Sequence, residues 1–108
     1  MNNIDVKIYS LIERIDELSE LFYKQKSQEG YLILSDIIEK MLELIQDLIM
    51  EKNEIIEKNI NELTGLLKNI LKAMEEGDTV LMADILQYEM VDRLKLIKGI
   101  LEENRGDF

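Results

Sequence analysis

Apolar residues recur along this chain in alternating steps of three and four, the spacing that gathers side chains onto one face of an α-helix. Ile4, Ile8, Leu11, Ile15, Leu18 and Phe22 form a first stripe, and Tyr31, Leu34, Ile38, Met41, Ile45 and Leu48 a second. Ile56, Ile60, Leu63, Leu67, Ile70 and Met74 form a third. The fourth, Ala83, Leu86, Met90, Leu94, Ile97 and Leu101, has the same form with one extra step of four. Nothing in the chain alternates with the period of a strand. The spacing predicts helices over about 3–26, 28–51, 54–76 and 78–103 within one helical domain, 1–108.

The breaks follow from turn chemistry. Asn2 or Asn3 can cap the first helix with a short side-chain oxygen. Ser27-Gln28-Glu29-Gly30 is the expected first turn. Glu76-Gly77-Asp78-Thr79 is the clearest punctuation: Gly77 can take the left-handed stop conformation and Asp78 can cap the helix that follows. Near Glu51-Lys52-Asn53-Glu54 there is neither Gly nor Pro, although Asn53 can cap. A turn there gives an all-α, antiparallel up-down four-helix bundle, because short connections between rods of about 33 Å force sequential neighbours to run oppositely. The rival is a continuous helix through this junction, which requires an intertwined dimer.

Two segments are apolar over more than one stripe. In the second helix Leu32, Ile33, Ile37, Leu42, Leu44 and Ile49 lie outside the main seam. At the start of the fourth, Leu81, Ile85 and Tyr88 draw a second line at four-three spacing beside Ala83 and Leu86. Such width is used either by a helix with two neighbours or by a docking surface, since monomers rarely leave large contiguous apolar patches open. Leu81, Ile85, Tyr88, Ile33 and Ile37 are therefore the candidate interface. A second copy in a homodimer, or a partner helix laid in a groove, would cover them. Ala83 would let a neighbouring helix approach closely. Asp84, set among apolar residues, must face water, pair with a cation or accept hydrogen bonds.

Composition narrows the chemistry. The 108 residues contain no Cys and no His, which removes disulfides, thiolate or imidazole catalysis and every His- or Cys-ligated metal site. Thirteen basic against 23 acidic residues give a net charge of −10, and no quarter of the chain is basic, so nucleic acid and anionic lipid are unfavourable partners. The longest uncharged stretch, Gly30 to Ser35, is far too short for membrane insertion. The opening Met-Asn-Asn-Ile-Asp has no secretory pattern, and a cytoplasmic location is expected.

Carboxylates could still serve magnesium-dependent phosphoryl chemistry. All-α nucleotide pyrophosphatases present Glu-x-x-Glu on one helix and Glu-x-x-Asp on another, and this chain has Glu17-x-x-Glu20, Glu54-x-x-Glu57 and Glu89-x-x-Asp92. These pairs flank the seams on their polar sides, and their long separation departs from that family's arrangement. The expectation is no catalytic residue, no metal and no cofactor, the acids serving solubility.

The stretch Ala73 to Glu89 resembles a motif of small, acidic, uncharacterised helical proteins of low-GC Gram-positive type bacteria, Ala-x-Glu-x-Gly-Asp-x-Val-Leu-x-Ala-Asp-x-Leu-x-Tyr-Glu. The resemblance covers about residues 28–101, and its specific part is Gly77 to Glu89. It implies a helical hairpin or bundle and no established activity. The functional expectation is a non-enzymatic helical interaction or adaptor module that self-associates, with a secretion-chaperone-like binder of a partner helix as the alternative.

Overall fold

The computed structural model describes residues 3–106. Three helices, α1 (Asn3–Tyr23), α2 (Ser27–Ile49) and α3 (Glu54–Glu75), precede a fourth rod composed of α4 (Thr79–Asp84), a π-helical segment (Ile85–Met90) and α5 (Val91–Arg105). They form an antiparallel up-down four-helix bundle, and no strand occurs among the described residues. Each helix packs against its neighbours in the chain and the fourth rod returns beside α1, so that α2 and the fourth rod face each other across the diagonal. Arg105 closes the ring by donating to the buried carboxylate of Asp5 at 2.8 Å.

The residues at each junction explain why the chain turns there. Asn53 caps α3 with its side-chain oxygen, accepting from the amides of Ile55 (2.8 Å) and Ile56 (3.1 Å), while Lys52 takes a left-handed conformation with φ 50°. That turn excludes the continuous second and third helices of the rival topology. Gly77 ends α3 with φ 70°, and Asp78 accepts from the Leu81 amide at 3.0 Å to start α4. The first turn differs from expectation. It falls at Lys24-Gln25-Lys26, with Gln25 at φ 62°, and α2 already begins at Ser27. Gly30 lies inside α2, buried against the Phe22 ring: a Cβ there would stand 2.4 Å from the ring edge. Glycine at this position answers a steric demand from α1 rather than a demand for a turn. Of the two residues offered as caps for α1, Asn3 is helical and Asn2 is outside the described residues.

The core contains every residue of the first stripe from Ile8 to Phe22, the third from Ile56 to Ile70, and the whole fourth stripe. Helix α2 is rotated from the expected seam. Ile37 and Leu44 are buried, while Ile38, Ile45 and Tyr31 are half-buried along its edge. The two seams share Leu34, Met41 and Leu48, so rotation by one position keeps half of the pattern.

Gly65 and Gly99 have open space where a Cβ would point. Each costs its helix backbone entropy for no steric return. Gly65→Ala and Gly99→Ala should each raise stability by about 0.5–1 kcal/mol, read as a higher denaturant midpoint with an unchanged slope.

Candidate functional site

The fourth rod is where the sequence and the geometry both depart from regularity. Between Leu86, Met90 and Leu94 the seam takes two successive steps of four, which in a regular α-helix would carry the stripe round by roughly 80°. The helix answers with the π segment, whose wider turn accommodates the extra residue and keeps both halves of the seam buried. The extra step of four in the fourth stripe is thus its trace in the sequence.

Around this segment the candidate residues separate. Ile85 is turned inward and only 5% exposed, and Ala83 is fully buried where α4 packs on α1. Leu81 and Tyr88 stay outside at 41% and 64% exposure, joined by Val80 and Leu96. Ile85 therefore supplies packing, and the outward line is Val80, Leu81, Tyr88 and Leu96. In α2, Ile37 belongs to the core at 1% exposure and Ile33 is half-buried, so the free apolar surface of that helix lies elsewhere, at Leu32, Leu42 and Ile49. The cause is again the rotation of α2.

Asp84 resolves its awkward position by accepting a hydrogen bond from the Tyr23 hydroxyl at 2.5 Å, which ties the end of α1 to the end of α4. The Tyr23 side chain is partly exposed, but its hydroxyl is engaged. The bond to Asp84, with partial burial and the neighbouring charge, pushes the Tyr23 pKa up from 10.0 to about 12. Because the folded value is raised, this contribution to stability is complete below pH 10 and is lost as the pH rises toward 12. Absorbance titration near 295 nm should show Tyr23 ionising late, and Asp84→Asn should lower its value, the contributions of burial and of Tyr88 remaining.

A second polar tie joins α3 to α5. Buried Asn59 donates to the Ile55 carbonyl at 2.8 Å and accepts from Arg93 at 2.9 Å. Beside it, Glu62 and Leu66 of α3 face Tyr88, Glu89, Asp92 and Leu96 across an open hollow of about 340 Å³. Lys72 and Glu76 border a neighbouring hollow with Leu81. This face carries both signs of charge around its apolar residues.

The carboxylate pairs do not converge. All six residues of Glu17/Glu20, Glu54/Glu57 and Glu89/Asp92 are exposed, with Glu17 on Arg14 at 2.9 Å and Glu20 on Lys24 at 2.7 Å. Among the described residues no group of three or more potential metal ligands is brought together. No described helix is long and apolar enough to cross a membrane.

Fold and surface together define a small all-α bundle, acidic overall, with apolar residues left exposed on its surface. The chain belongs to the family of the domain of unknown function DUF8042, which matches residues 1–100. It is also similar to an uncharacterised protein of Treponema pallidum (strain Nichols), 46% identical over 46 residues. That similarity spans 42% of this chain and 23% of the relative. No solved structure matches the chain.

Proposed function

We propose that this chain is a non-catalytic helical interaction module of the cytoplasm that pairs with a second copy through the outer face of its fourth rod. The observation that carries the reading is the line Val80, Leu81, Tyr88 and Leu96, each at least 41% exposed on a rod whose other face is fully packed. Leu and Tyr side chains that keep this much surface in water gain by burial against a partner. The charges beside the line are mixed, with Lys72 and Arg93 near Glu62, Glu76, Glu89 and Asp92. A two-fold contact lets a basic residue of one copy meet an acidic residue of the other. The motif from Ala73 to Glu89 supports the same placement: its Gly77 and Asp78 start the rod, and its Val80, Leu81 and Tyr88 are exposed members of the line.

Sedimentation of the purified chain should give the mass of two chains, falling to that of one on Leu81→Glu or Tyr88→Ala. A single-chain mass for the wild type would remove self-association. Turnover of a nucleoside triphosphate with magnesium, abolished by Glu89→Gln, would replace the non-catalytic reading altogether.

A further inference from the structure

Two of the three arginines are paired with carboxylates: Arg14 meets Glu17 and Asp36, and Arg105 meets Asp5. Arg93 is not, although it is half-buried and Glu62, Glu89 and Asp92 line the same open hollow of about 340 Å³. Among the described residues neither Arg93 nor any of these three acids takes part in an ion pair. The guanidinium is instead drawn toward the bundle by its 2.9 Å bond to buried Asn59, whose own amide is fixed on the Ile55 carbonyl at 2.8 Å. That bond engages one N–H of a planar, five-donor fork and holds its position, which leaves the remaining donors for the hollow.

We propose that a second copy of the chain supplies the carboxylate: in the two-chain species Arg93 of each copy pairs with the partner's Glu89, and this reciprocal pair makes the chain select itself. The inference rests on the reading of the fourth rod's outer face as a self-contact. Glu89 and Arg93 stand four residues apart where the π segment passes into α5, about one turn, and both border the hollow on the α3 edge of the rod. Two rods that cross antiparallel, with the two-fold axis over that turn, carry each Arg93 opposite the partner's Glu89. Tyr88 and Leu96, 64% and 50% exposed, lie on either side of the same turn, so the crossing that forms the two pairs also brings apolar surface over them and excludes water. The charges choose the occupant. A uniformly basic partner would answer Glu89 but face Arg93 with its own sign, and a uniformly acidic one would answer Arg93 and be repelled by the three acids. A second copy brings one of each sign to the matching place.

Sedimentation of four variants beside the wild type tests the pair. Arg93→Glu should weaken self-association about tenfold or more and give the mass of one chain at concentrations where the wild type has the mass of two. Glu89→Arg, at an exposed position that makes no bond within its own chain, should do the same, so the test does not depend on how well Glu is tolerated beside Asn59. Arg93→Glu with Glu89→Arg in one chain keeps the wild-type net charge and should recover the two-chain mass, as should an equimolar mixture of the two single variants. Added salt should weaken the wild-type species, and circular dichroism should show every variant helical. If both single variants are helical single chains and neither the double variant nor the mixture recovers, the pairing is overturned. If the wild type is two chains and Leu81→Glu separates them while Arg93→Glu does not, only the assignment of Arg93 falls. A wild type that sediments as one chain removes the self-contact itself, and this pair with it.

Discussion

Phe22→Ala is expected to destabilise the bundle by about 3–5 kcal/mol, the range for emptying a fully buried aromatic site. The ring is 0% exposed, stands edge-on to Tyr31 at a centroid distance of 5.5 Å and an angle of 67°, and brings one edge close to Gly30. It fills the end of the bundle where α1 turns into α2. Urea unfolding followed by circular dichroism measures the loss. A loss below about 1 kcal/mol would show that the ring is not held as described.

The complementary change is expected at Gly30. A Cβ there would sit 2.4 Å from one ring carbon of Phe22 and 2.7 Å from another, inside any tolerable contact distance. Alanine should improve the helix backbone by about 1 kcal/mol, but the ring cannot retreat from a packed site without displacing its neighbours. Gly30→Val adds more bulk and a branched Cβ, and should cost about 2–3 kcal/mol. The decisive measurement is the double-mutant cycle. With Phe22→Ala in place the space is free, so Gly30→Ala should change from destabilising to neutral or stabilising. If Gly30→Ala stabilises the wild-type chain as Gly65→Ala does, the close approach of ring and backbone is refuted.

This pair also shows where sequence reasoning reached its limit. Glycine is a local turn signal, and the stretch Ser27 to Gly30 carried the only glycine between the first two stripes. The chain instead turns at Gln25, which adopts a left-handed conformation without a glycine to advertise it, and spends its glycine on a contact between two helices. A contact of that kind is invisible to periodicity because its two members are set by packing. The rotation of α2 has the same origin: a helix apolar around most of its circumference offers two seams that share Leu34, Met41 and Leu48, and only its neighbours choose between them.

Elsewhere local chemistry was sufficient. The positions of α1 and α3 follow from narrow stripes that admit a single inward face, and the starts of α3 and α4 follow from Asn53 and Asp78. For the surface, the apolar excess of α2 and the fourth rod was readable, but its distribution was not. Ile37 and Ile85 turned inward, while Leu42 and Ile49 took the outward places. The bond from Tyr23 to Asp84 spans 61 positions; the sequence required a solution for Asp84 and could not name the donor.

The widened turn at Ile85–Met90 bears on how this family is to be compared. Were one residue deleted between Leu86 and Met90, the steps onward from Leu86 would alternate three, four, three and four, and a straight rod could bury the same side chains from there on. Relatives with and without the inserted residue can thus share one architecture, provided their alignment opens a gap inside a helix, where gaps are ordinarily forbidden. Any transfer of residue roles across that point must shift its count by one.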